Sequence, residues 1–331
     1  MRRPFRALLL GTVAVLAGAL ALPSVAADLP GVRAGVLKFG TVNWELTSMK
    51  HHGLDEANGF ALEIVPFAGG DATEIALQGG AVDVIVSDWL WVSRLRAQRA
   101  MFTFVPYSSS VGAIMVGPDS DIAALADLRG QKIGVAGGPL DKSWLLLQGH
   151  ARQAHDLDLA AENEVVFGAP PLLAEKARSG ELDAVLNYWH YNARLEAEGF
   201  RRLVGADDAA SALGASGAVS SIGYVFDEAR AAEVPIDAFI EASRQTKRLL
   251  GDSDEEWQRL ADSGAIKDGP EALIVLRDRF REGIPSRPLA DEIEDTGLVY
   301  GVLAELGGEK LVGQARNLAP GTYWTGAPSG L

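Results

Sequence analysis

The stretch Gly80-Ala81-Val82-Asp83-Val84-Ile85-Val86-Ser87-Asp88-Trp89 has a second copy a hundred residues further on, Gly180-Glu181-Leu182-Asp183-Ala184-Val185-Leu186-Asn187-Tyr188-Trp189. Gly, Asp and Trp fall at the same offsets in both. Each copy ends a helical pattern, turns on its glycine and enters a short apolar run of the kind that forms a buried strand. Each run stops at polar residues and a tryptophan. Ligands of open α/β sheets bind at the carboxyl ends of strands. Two such ends in two parts of one chain predict two similar lobes facing each other across a cleft.

Outward from the first copy, residues 36–41 and 61–67 read as strands, and 45–58 as a helix stopped by Gly59. Gly69-Gly70 turns into a helix that Asp71 can cap, with Glu74 three residues on as in a capping box. The order strand–helix–strand–helix–strand predicts a parallel sheet with right-handed crossovers. Residues 101–105, 112–116, 131–136, 165–167 and 201–204 read as further strands, with a short helix at 119–128 and another helix at 189–198. Gly137-Gly138-Pro139 breaks the chain before a helix starting near Asp141, and Pro170-Pro171 opens the helix that leads to the second copy. After a last strand at 222–226, four helices (235–250, 254–262, 270–281 and 288–306) are expected to cover the first lobe. The expected division is a leader at 1–27, a first lobe at 28–117, a second lobe at 118–216, and the mostly helical remainder of the first lobe at 217–331. The chain crosses between lobes near 117 and 216, and the Ala/Gly/Ser stretch 209–221 reads as hinge or loop.

The length of 331 residues exceeds what one hydrophobic core usually serves, which agrees with two lobes. Arg2, Arg3 and Arg6, an apolar run at 8–22 and the small residues Ser24, Val25, Ala26 and Ala27 predict a cleavable secretory signal. The apolar run is shorter than the roughly 20 residues of a typical membrane span. No cysteine is present, so neither a lipid-modified Cys nor a disulfide is available. The expectation is a protein free in the periplasm. A net charge of −14, from 30 basic and 44 acidic residues, argues against nucleic acid and against docking on anionic lipid.

The segment Asp119-Ser120-Asp121-Ile122-Ala123-Ala124-Leu125-Ala126-Asp127-Leu128-Arg129-Gly130-Gln131-Lys132-Ile133-Gly134-Val135 resembles a stretch of the periplasmic solute-binding proteins of ABC transporters, in their nitrate/sulfonate/taurine group. That group also includes binders of pyrimidine precursors. The two Gly-x-x-Asp strands resemble the same family, and the likeness runs over residues 36–320. It implies an α/β, two-lobed (type II) fold, each lobe a mixed, mostly parallel sheet flanked by helices. It also implies that the lobes close on a small-molecule solute by hinge bending and pass it to an inner-membrane permease driven by an ATPase. No cofactor is implied, and a monomer is expected.

In that family the solute meets the loops after the strands. Here those loops hold Asn43 and Trp44, then Gly70 and Asp71, then Asp88 and Trp89, with Ser109 in the next. In the second half they hold Gly138, Asp141, Ser143 and Trp144, then Asn187, Tyr188, Trp189 and His190. Five of the seven tryptophans, these four and Trp91, lie in or beside the loops, where a ring is either packed as core or covered by a solute. Gly137-Gly138 before Asp141-Lys142-Ser143 sets backbone N–H groups at a helix N-terminus, which attracts anions, yet Asp141 reads equally as a helix cap. Asp88 ends a buried strand and needs a partner. Either it pairs with an arginine or caps the next helix, or it meets an amine, amidine or ring N–H of the solute.

Aromatic rings with a carboxylate suit an organic amine or heterocycle. A sulfonate or taurine-like anion is the alternative, and only Lys142 and His190 in these loops could serve it. His51-His52 invites a metal reading, but neighbouring helical residues point about 100° apart, and no metal-ligand spacing accompanies them. No Gly-x-Ser-x-Gly elbow, phosphate loop or dinucleotide fingerprint occurs. The expectation is a binder and not an enzyme, with an enzyme or a sensor subunit on the same fold as the readings of another class.

Overall fold

The computed structural model describes residues 29–326, so the expected leader lies outside the described residues. The first stretch forms β1 (Gly31–Leu37), α1 (Val42–His51), α2 (Leu54–Ala57), β2 (Ala61–Phe67), α3 (Gly70–Gln78), β3 (Val84–Ser87), α4 (Trp89–Ala97) and β4 (Phe102–Ser108). The second forms β5 (Ala113–Val116), β6 (Lys132–Ala136), α5 (Lys142–His155), β7 (Glu164–Gly168), α6 (Pro170–Arg178), β8 (Ala184–Asn187), α7 (Trp189–Ala197), β9 (Arg201–Gly205) and α8 (Ala206–Ala212). The chain then returns through β10 (Ile222–Asp227) and ends in α9 (Ile236–Asp252), α10 (Asp254–Asp262), α11 (Pro270–Glu282) and α12 (Leu289–Val312).

Two five-stranded mixed sheets result, ordered β2-β1-β3-β10-β4 and β7-β6-β8-β5-β9. They share one plan. Three strands run parallel, and the fourth, β10 or β5, is antiparallel to both of its neighbours. In each sheet the reversed strand is the one that enters directly from the other lobe. This corrects the boundary expected at 117. β5 hydrogen-bonds to β8 and β9, so it belongs to the second lobe, and the first crossing runs through residues 109–112. The second crossing is also shorter than expected, because residues 209–212 of the Ala/Gly/Ser stretch belong to α8.

The repeated motif sets strand register. Asp83 accepts the backbone N–H of Arg33 at 3.0 Å, and Asp183 accepts that of Lys132 at 2.8 Å. In return the N–H groups of Asp83 and Asp183 donate to the carbonyls of the same two residues. Gly80 and Gly180 both hold a left-handed backbone (φ 70° and 73°), which favours glycine. The Gly and Asp of the motif are therefore framework.

Other sequence expectations shift by local chemistry. The helix expected at 45–58 breaks at Gly53 into α1 and α2. Gly69, not Asp71, takes the N-cap position of α3, and the expected helix at 119–128 shrinks to a single 3₁₀ turn at Leu125–Leu128. Of the C-terminal helices, α9 and α10 cover α1 and α2 of the first lobe. α11 lies instead on α7 of the second lobe, and α12 bridges α4 and α5. Their apolar faces explain this. Leu273, Leu276 and Phe280 of α11 share a core cluster with Ala193 of α7, while Val299, Tyr300 and Leu303 of α12 join the main core with Trp89 and Trp144. Among the described residues no helix is long and apolar enough to cross a membrane.

Candidate functional site

Between the two sheets lies a cavity of 340 Å³, in the range of about 300–1,000 Å³ usual for small-molecule sites. Its apolar wall comes from both lobes: Val36, Val42, Val86 and Ile222 from the first, Tyr188 and Trp189 from the second. Thr41, Ser110, Ser143 and Ser221 add hydroxyls. The crossing residues Ser110, Val111 and Gly112 form its back. The N-terminal ends of α1, α5 and α7 converge on it through Thr41, Lys142 and Trp189, as expected for strand-to-helix loops at the carboxyl edge of a sheet.

Four of the expected residues, Asp141, Ser143, Tyr188 and Trp189, line this cavity. Asp141 also caps α5 by accepting the N–H of Trp144 at 3.1 Å, as its cap reading expects. Gly137 makes room for it: a Cβ there would sit 2.6 Å from the Asp141 carboxylate, and the glycine is left-handed (φ 84°). Burial, reinforced by the Asp88 carboxylate, lifts the Asp141 carboxyl above its ordinary range despite opposition from Lys142 and the N–H groups of Trp144 and Ser143. Burial and Asp141 likewise raise the Tyr188 phenol.

The other expected residues are elsewhere. Asn43 donates to the carbonyls of Leu37 and Gly40, both at 2.8 Å, and so fixes the β1–α1 turn. Trp44 is buried against Trp257 and Trp189, with ring centroids at 5.7 and 6.1 Å. Gly70 and Asp71 are exposed at the start of α3. Ser109 donates its N–H to Gly283 and faces a separate 120 Å³ cavity. Trp89 is buried and donates its indole N–H to the Ser220 carbonyl at 2.9 Å. Trp144 is core. Asn187 is buried, donating to Pro170 and accepting the N–H of Tyr188. Gly138 shapes the turn before α5, where its carbonyl accepts the N–H of Asp141.

Asp88 has two partners at once. One carboxylate oxygen accepts the N–H of Trp91 at 2.8 Å and caps α4, and the other meets Lys142 Nζ at 2.7 Å. The ion pair joins the lobes, since Asp88 follows β3 and Lys142 opens α5. Burial opposes both charges, but their mutual attraction prevails. The Asp88 carboxyl is held below its ordinary range and the Lys142 ammonium above it.

Lys142 and His190 face the cavity as well. Burial and the neighbouring Arg194 push His190 down to about 4, against Asp268, so its ring is neutral at pH 7. Ser110 belongs to the serine loop 108–110 that the sequence places among the candidates, whereas Thr41, Ser221 and the aliphatic wall were not visible in sequence, because they depend on which strand faces and strand ends the fold turns inward. His52 is engaged with Glu256 at 2.8 Å, and among the described residues no cluster of His, Asp and Glu is placed to hold a metal ion.

No protein-family profile matches the sequence, and no curated protein matches it. Among solved structures the chain is similar to the alkanesulfonate-binding protein SsuA of Xanthomonas axonopodis pv. citri bound to MOPS, at TM-score 0.67 and 18% identity over 90% of this chain and 99% of that one. It is similar to the periplasmic aliphatic sulphonate-binding protein SsuA of Escherichia coli, at 0.66 and 19% over 89% and 92%. An ABC transporter protein of Parabacteroides distasonis gives 0.69 and 12% over 90% and 99%. The chain has the fold of a two-lobed periplasmic binding protein. The 340 Å³ cavity lies between the two lobes of this fold.

Proposed function

We propose that the chain is the solute-capturing component of an ABC importer, working as a monomer in the periplasm and handing its solute to a permease with an ATPase. The observation that carries this reading is the cavity itself: walls from both lobes, a floor of chain crossings, and a size suited to one small organic molecule. The signal-like leader supports the location, and the named structural neighbours, being binding proteins, support a binder over an enzyme.

The solute we propose is an organic amine or heterocycle with an apolar body. Aliphatic and aromatic side chains supply most of the wall. Its one described ammonium group is already paired with Asp88, and His190 is neutral. Asp141 is thus the carboxylate left to meet an amine or ring N–H, one of the roles left open for Asp88. A second reading, an alkanesulfonate-like anion, is favoured by the three helix N-termini at the cavity and by what the two SsuA proteins bind.

Thermal melting of the mature chain against amines, pyrimidines, taurine and alkanesulfonates tests both. A ligand at 100 times its dissociation constant adds about 2.7 kcal/mol. If only oxyanions raise the melting temperature, the amine reading is wrong. If no small solute does, the importer reading is wrong.

A further inference from the structure

Lys142 is the one cationic side chain on the described cavity wall, and its ammonium is 2.7 Å from Asp88. The Asp88 carboxylate cannot simply swing aside. Its other oxygen is tied to the N–H of Trp91, and the neighbouring Trp89 is buried and bonded to Ser220. The side chains of Asp88 and Lys142 are 26% and 30% exposed, so the pair is within reach of a solute entering between the lobes.

We propose that Asp88 sets the charge selectivity of the cleft. It occupies the only described wall cation as an anionic headgroup would, so an anion from solution must displace a tethered carboxylate. A carboxylate held in place has a high effective concentration against any free competitor. Neutral and cationic solutes face no such competition. The pair therefore acts as a filter against anions, and it forms only when β3 and α5 approach across the cleft. This inference rests on the reading of the cavity as the solute site.

Asp88→Asn tests it, because asparagine keeps an oxygen for the α4 cap while releasing Lys142. The probes are hexane-1-sulfonate and hexylamine, measured by calorimetry on the mature chain. Asp88→Asn should bind the sulfonate at least tenfold more tightly than the parent. Lys142→Met in the same background should abolish the gain. Equal or weaker sulfonate binding by Asp88→Asn overturns the filter, whatever hexylamine does. A gain that survives Lys142→Met also overturns the filter, because the anion then does not use the ammonium that Asp88 releases, whereas binding of neither probe by the parent or the variants is what fails the assignment of the cavity. Circular dichroism melts of both variants show whether a loss of binding is a loss of fold.

Discussion

Arg194 of α7 grips Asp268 with two hydrogen bonds, Nε to Oδ1 at 2.6 Å and Nη2 to Oδ2 at 3.0 Å. Arg279 of α11 pairs in the same two-pronged manner with Glu196 of α7. The second lobe is thereby fastened to the α10–α11 connection and to α11.

Two-pronged pairs with fixed geometry are among the stronger surface ion pairs. A double-mutant cycle on Arg194→Ala and Asp268→Ala should give a coupling of about 1 kcal/mol in urea unfolding. The solute-free Arg194→Ala chain should also show a larger radius of gyration by small-angle scattering. An unchanged radius would mean that this seam does not hold the lobes together.

Trp257 packs against Trp44 and Phe280 and donates its indole N–H to Leu250 at 2.8 Å. Replacing Trp257 or Trp44 with Ala should lower stability by about 3–5 kcal/mol. Solute affinity, measured where the variants remain folded, should be little changed. A large loss of affinity in Trp44→Ala without a fall in melting temperature would return Trp44 to the solute site. Trp189→Ala should do the reverse and mainly weaken binding.

The two copies of the repeat show how far the sequence is readable. Strands, turns and helices follow from apolar runs, glycines and prolines, and most expected elements appear within a few residues, although the first strand, expected at 36–41, forms at Gly31–Leu37 and gives way to the turn before α1. Trp89 and Trp189 each open a helix at the same offset, yet one is sealed by the Ser220 carbonyl and the other faces the cavity. Nothing local distinguishes them, because the difference lies in a partner 131 residues away. The same holds for β5, whose place depends on pairing with Asn187 and Gly205. The partner of Asp88 stayed open for a related reason: Asp88 and Lys142 lie 54 residues apart in the chain, and only the fold brings them together.

Glu256 joins α10 to α1, accepting from Ser48 at 2.5 Å, His52 at 2.8 Å and Arg259. Burial opposes its charge, but these donors prevail and hold its carboxyl down to about 2. An unfolded glutamate titrates near about 4.3. The folded pKa is the lower one, so the stabilisation is fully present above about pH 5 and is lost as pH falls towards 2, in all about 3 kcal/mol. Urea midpoints taken from pH 6 to pH 2 should fall more steeply for the parent than for Glu256→Gln. Parallel curves would exclude the group as a source of acid sensitivity.

His190 acts in the same direction, in a higher range of pH. Its ring is held at about 4 by burial, whereas an unfolded histidine takes up a proton near about 6.5. Acid therefore favours the unfolded chain between those values, while around neutrality the ring contributes no charge to the cleft. Solute affinity should stay flat from pH 8 to pH 6, and the ring resonances should move only near pH 4. A midpoint near 6.5 in the folded protein would refute the buried, neutral ring.

Asp141→Asn keeps the α5 cap but removes the cavity's carboxylate. Amine affinity should fall at least tenfold, or about 1.4 kcal/mol, with little change in melting temperature. An unaltered amine affinity would leave Asp141 as a cap alone.

The position of β10 has a consequence for the order in which the molecule assembles. The second sheet is built from one uninterrupted stretch, β5 to β9, and can close as soon as that stretch is free to fold. The first sheet cannot, because its fourth place, between β3 and β4, stays open until β10 arrives behind the whole second lobe. Until then β3 and β4 each present an unpaired edge, the kind of surface on which chains aggregate or wait for a chaperone. Pulsed hydrogen exchange during refolding should protect the amides of β6 and β8 before those of β3 and β4, and simultaneous protection would contradict this order.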